Sequence, residues 1–129
     1  MNTFRNPPDV HPPQGVYTHQ VEIQGPERLL VISGQVGARP DGMIPEDPLE
    51  QLDLVLENTA RNLRAAGMDF NDVFKISYFL VGEIDLPRRR EKMRDRGRGH
   101  APCSTLLSGA GLASPASRVE IEVWAGRGE

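Results

Sequence analysis

The chain has 129 residues, a net charge of −3 and a single cysteine, Cys103. That length suits one domain burying roughly 68% of its unfolded surface, which leaves no room for a second core. One thiol excludes an intramolecular disulfide and fits a reducing compartment, and the negative balance argues against general nucleic-acid binding. No apolar stretch approaches the ~20 residues that cross a bilayer. Residues 1–15 hold one arginine and no apolar run, which is neither a signal nor a transit pattern. The expectation is a soluble cytoplasmic protein.

Pro7, Pro8, Pro12 and Pro13 make residues 1–14 an extended arm that cannot be helical, with one domain over residues 15–129. Residues 16–23 are β-branched or alternate apolar with polar, and Gln24-Gly25-Pro26 breaks the run. Residues 29–33 are a second strand, expected to form a hairpin with the first. Turn chemistry follows at Gly37, Pro40, Asp41, Gly42 and Pro45. Asp47 then caps a helix with Pro48 at its first position, where a missing N–H costs nothing. Leu52, Val55, Leu56, Thr59, Ala60 and Leu63 recur at helical spacing as a buried stripe, and Gly67 marks the stop.

Residues 73–81 read as the central strand, with Phe74, Ile76, Tyr78 and Leu80 on one face and Val73, Phe79 and Val81 on the other. Helices cover one face only, so the second face calls for a neighbouring subunit. Asp85 and Pro87 open a second helix ending near Gly97 or Gly99. Residues 105–108 form a short strand and residues 118–124 the last one. The order β-β-α-β-α-β-β points to an α+β fold, one sheet with both helices on one face.

Glu120 and Glu122 share one face of the last strand. A carboxylate there either orients or deprotonates water or belongs to a solvent-facing row. Cys103 lies three residues after His100, which suggests a thiol–imidazole pair, although a lone cysteine is more often a small apolar core residue. Ser33 and Ser108 precede glycines without a nucleophile elbow, and Gly109-Ala110-Gly111 lacks the third glycine of a dinucleotide fingerprint. His11, His19 and His100 lack metal-site spacing, so neither metal nor cofactor is expected. Arg88, Arg89, Arg90, Lys92, Arg94, Arg96 and Arg98 crowd the second helix. They cannot share one face at 3.6 residues per turn, and a solvated face with long stems over the sheet accounts for them.

Taken together, these segments resemble the RidA/YjgF family, also described as endoribonucleases L-PSP. Val16-Tyr17-Thr18-His19-Gln20-Val21 resembles the family's opening strand, and Val31-Ile32-Ser33-Gly34-Gln35 its Ser-Gly-Gln strand end. Asn58 to Gly67 with Asp72-Val73-Phe74-Lys75 resembles its helix, stop and Asp-Val-x-Lys strand. Pro102-Cys103-Ser104-Thr105 and Val119-Glu120-Ile121-Glu122 resemble its C-terminal signatures. The resemblance implies a chorismate-mutase-like two-layer sandwich, assembled as a homotrimer with a small-molecule cleft at each subunit interface. It also implies hydrolysis of 2-imino or enamine acids to 2-oxo acids and ammonia. Glu120 would position the attacking water, with Tyr17, Ser33, Gly34, Cys103 and Ser104 as the substrate-binding set.

One departure stands out. Active deaminases of that family hold the substrate carboxylate with an arginine in a Pro-x-Arg-Ser/Thr segment, and here Ser104 occupies its place. A hydroxyl does not reproduce a bidentate, charge-assisted contact, a loss on the order of 2–4 kcal/mol. Imine-type hydrolysis on an altered substrate, a non-catalytic ligand-binding trimer, and RNA binding through the basic helix are therefore the functions to weigh.

Overall fold

The computed structural model describes residues 2–25, 28–109 and 111–127; Pro26 of the expected break and Ala110 of the Gly109–Gly111 segment lie outside them. The elements are β1 (Asn2–Arg5), β2 (Gln20–Ile23), β3 (Arg28–Val36), α1 (Pro48–Ala65), a 3-10 turn (Phe70–Asp72), β4 (Val73–Val81), α2 (Leu86–Gly97), β5 (Cys103–Gly109) and β6 (Val119–Arg127). A mixed sheet runs β3-β6-β4-β5, while β1 and β2 form a separate pair. β6 is antiparallel to both β3 and β4, and β4 is parallel to β5. This is an α+β fold of two helices on a mixed sheet.

α1 forms where its caps place it. Asp47 accepts from the Leu49 N–H at 3.3 Å, and Pro48 takes the first turn. Gly67 at φ 71° ends it, a left-handed conformation that glycine adopts without steric cost. The carbonyls just past its end are met from the sheet: Arg28 donates to Ala66 at 2.6 Å and Arg127 to Gly67 at 2.7 Å. All six stripe residues are buried, and Leu52, Val55, Leu56 and Leu63 join Ile76, Tyr78, Leu80, Val119, Ile121 and Val123 in one cluster. Buried Gln51 also has its polar atoms satisfied. It donates to the carbonyls of Pro45 (2.7 Å) and Ala116 (3.1 Å) and accepts from the Arg118 N–H (2.7 Å), tying the loop before β6 to the helix.

α2 lies on the same face. Met93 packs against the cluster, and Arg89 sits over the Tyr78 ring at 4.8 Å. Two ion pairs link it to α1, Lys92–Asp53 at 3.0 Å and Arg96–Glu57 at 3.2 Å. The basic residues are thus divided: Lys92 and Arg96 face α1, Arg89 turns inward, and Arg88, Arg90, Arg94 and Arg98 are exposed.

Three expectations are corrected. The strand over residues 16–23 is confined to Gln20–Ile23, and it pairs with Asn2–Arg5 inside the Pro-rich arm, not with β3. Cross-strand contacts from Arg5 to Gln20 (3.1 Å) and Glu22 (2.6 Å) favour that pairing. Upstream, Thr18 turns its polar groups to the entry of β5, its N–H donating to Pro102 at 3.2 Å and its hydroxyl to Ala101. Finally, Val73 joins Ile76, Tyr78 and Leu80 in the core instead of facing away with Phe79, because a register shift between Val73 and Lys75 reverses the alternation.

The opposite face of the sheet is uncovered. Leu29, Val31, Leu107 and Trp124 are 56, 52, 55 and 39% exposed, and Phe79 and Val81 lie half-buried between them.

Leu63 is fully buried. Leu63→Ala is expected to lower unfolding free energy by about 2–5 kcal/mol, read as a fall in the urea midpoint at unchanged slope.

Candidate functional site

Strand alternation sorts the candidate residues onto two faces. In β6, Val119, Ile121, Val123 and Ala125 enter the core, so Glu120, Glu122 and Trp124 point to the uncovered face. Glu120 is opposite Phe79 on β4 and Val36 on β3, and Glu122 is opposite Ser77. Between Ile32 and Gln35 the β3 register slips, which places Ser33 and Gly34 in a bulge. The Glu120 carboxylate lies across this bulge: a Cβ on Gly34 would come within 2.7 Å of its carboxyl carbon and closer still to one oxygen. A side chain at this position would push the carboxylate aside, so Gly34 leaves it room over the bulge. Ser33 is exposed beside it, its carbonyl accepting from the Gln35 amide at 3.0 Å.

Cys103 belongs to the same uncovered face, opposite Lys75 at the start of β5. Burial pushes its thiol above the usual 9.0, with Lys75 and a backbone hydrogen bond from Val21 working the other way. His100 is engaged elsewhere, its Nε2 donating to the Val73 carbonyl at 2.7 Å and its ring set edge-on to Phe4. Cys103 and His100 do not make a nucleophile pair.

Tyr17 and Ser104 come together on the helix side. Ser104 is opposite Ile76, whose side chain is buried under the helices. A cavity of about 310 Å³ is lined by Tyr17, Ser104, Tyr78, Arg89, Arg90 and Leu106, among others. The Tyr17 hydroxyl accepts from the Gln14 N–H at 3.2 Å, and its ring rests on His19, which in turn packs on His11. Burial raises the Tyr78 hydroxyl to about 12, with the charge and hydrogen bond of Arg89 opposing, so it stays protonated. A second cavity of similar volume, lined by Arg64, Asp69, Arg96 and Arg98, holds none of the candidate residues.

Sequence reasoning missed Arg89. Its signal was Met93, the inward residue of α2, because four positions earlier on the same helix face stands Arg89. Among the described residues no three His, Cys, Asp or Glu side chains gather to hold a metal, and no helix is long and apolar enough to cross a membrane.

The fold and site define a small α+β domain with a carboxylate seated on an open sheet face and a polar cavity beneath its second helix. The sequence model of the Endoribonuclease L-PSP family matches residues 9–126, and the chain belongs to that family, the RidA/YjgF group. A mouse 2-iminobutanoate/2-iminopropanoate deaminase is 34% identical over 116 residues, 88% of this chain and 83% of that protein. The RutC family protein YjgH of Escherichia coli is 41% identical over 51 residues, 40% of this chain and 39% of that one. The crystal structure of YyfB from Yersinia pestis, a Rid family protein of unknown function, superposes with a TM-score of 0.86 at 27% identity, covering 97% of this chain and 98% of that one.

The raised thiol makes Cys103 a slow nucleophile, since thiolate is the reactive form. Its alkylation by iodoacetamide at pH 8 is expected to run several-fold slower than that of free cysteine and to keep rising beyond pH 9, as followed by intact mass.

Proposed function

We propose that the chain is an imine-type hydrolase that releases ammonia from a small 2-imino or enamine acid and works as a homotrimer with its clefts between subunits. The observation that carries this reading is the Glu120 carboxylate held over Gly34 on an apolar, uncovered sheet face. Deaminase relatives that match most of the chain support it. Glu120 accepts a proton from water as the oxygen bonds to the imine carbon and the nitrogen is protonated. The carbinolamine then collapses: Glu120 returns its proton to the nitrogen, the hydroxyl loses its own, and the C–N bond breaks as ammonia leaves and a 2-oxo acid remains.

The division of the site supports an assembly of subunits. Glu120, Ser33 and Gly34 face one way, while Tyr17 and Ser104 face the other, so one chain does not close a cleft around both sets. A neighbour laid on Leu29, Val31, Leu107 and Trp124 would cover the apolar face and bring its own Tyr17 and Ser104 towards Glu120. A non-catalytic ligand-binding role is the second reading, favoured by the uncharged Ser104 in the cavity.

Two outcomes check this. With 2-aminoacrylate generated in situ, the protein should accelerate pyruvate and ammonia release, and Glu120→Ala should reduce that acceleration by about 10²-fold or more. No acceleration, with Glu120→Ala indistinguishable from the parent, removes imine hydrolysis. Native mass spectrometry should give a trimer, and Val31→Glu should shift it towards monomer by placing a charge in the apolar contact.

A further inference from the structure

The cavity containing Tyr17 and Ser104 is not without a cation. Arg89 enters it from α2, its guanidinium carbon over the Tyr78 ring, 4.8 Å from the ring centre. That contact, with a hydrogen bond between the Arg89 and Tyr78 side chains, holds the group against the ring. One donor is left over: Arg89 Nε is buried and has no hydrogen-bond partner among the described residues. A buried charged donor without a partner is costly, and the cavity lining provides no carboxylate to meet it. Arg90 stands on the same lining and adds a second positive charge. Burial and Arg90 both pull the Arg89 pKa below the usual 12.5, with Tyr78 opposing. An anion bound there relieves both effects.

We propose that Arg89 is the anion-binding residue of this site, taking the carboxylate of a small 2-oxo or 2-imino acid through the Nε–H and Nη–H edge of its guanidinium, with Ser104 and Tyr17 alongside. The cation absent from position 104 is thereby supplied by another element, across the cavity. Two parallel donors on one planar edge match the two oxygens of a carboxylate, and Tyr78 holds that edge in place. The assignment rests on the proposed function only for the identity of the acid. It deepens that reading by giving Arg89 the substrate's charged end.

Binding, read without turnover, separates the two. Titration calorimetry of the full chain with 2-oxobutanoate at low ionic strength should show binding that weakens about tenfold or more in Arg89→Met. Arg89→Lys, which keeps the charge but not the fork, should fall between them and provides the reading if the Met variant does not fold. Ser104→Arg added to Arg89→Met should restore affinity, because both positions line one cavity. 2-Oxobutanamide should bind weakly and alike to parent and variant.

Absence of 2-oxobutanoate binding by the parent at millimolar concentration overturns the inference, as does undiminished binding by a folded Arg89→Met. Inorganic phosphate binding more tightly than 2-oxobutanoate in an Arg89-dependent way overturns the carboxylate assignment. Change in oligomer mass without change in affinity would place Arg89 in a subunit contact instead. If the parent fails to hydrolyse imines while Arg89-dependent binding persists, the catalytic reading fails and this one stands.

Discussion

β6 is the strand on which both the fold and the chemistry depend. It lies between β3 and β4, hydrogen-bonded on both edges, and its side chains alternate between two environments. Val119, Ile121, Val123 and Ala125 complete the core beneath α1, so Glu120, Glu122 and Trp124 must face the other way. A slip of one residue would bury two carboxylates and expose four apolar side chains. Core packing therefore determines where the acid of the site points, and the bulge at Ser33 and Gly34 determines how closely the neighbouring backbone can approach it.

Much of this was legible in sequence because it is local. α1 showed its cap in Asp47-Pro48, its buried stripe in a four-residue rhythm and its end in Gly67, and all three hold. β4 was legible as a run of apolar and β-branched residues with the bounds observed. The features that escaped depend on distant partners. The pairing of Gln20–Ile23 with Asn2–Arg5 requires knowing what lies beside a short strand, and alternation alone does not say. The shift at Val73 is a property of the β4–β6 register, invisible along β4 itself. Of the site, Glu120 and Gly34 were legible as motif members, but their contact was not.

The second helix shows how one run of like charges can be divided among separate tasks. Exposed ion pairs contribute only about 0.2–1 kcal/mol each, so Lys92 and Arg96 orient α2 against α1 more than they bind it. Met93 and the Arg89–Tyr78 contact anchor the helix to the core. Composition alone gives these arginines one meaning, a basic surface. In the fold, Arg89 is drawn away from solvent by an aromatic ring, and its neighbours Arg88 and Arg90 stay outside.

Thr18 bonds to both Ala101 and Pro102, although 83 residues of sequence separate it from Ala101. One of the joined segments carries Tyr17 and the other Ser104. Both bonds end on main-chain carbonyls, one from the Thr18 N–H and one from its hydroxyl, so they act as a caliper that does not involve the Tyr17 or Ser104 side chains. The cavity's width is in that sense set at Thr18, outside the lining, while its polarity belongs to the residues that line it. Substitutions along the lining can then retune which small acid is preferred without resizing the space, which would let related chains diverge in chemistry while keeping a common gauge.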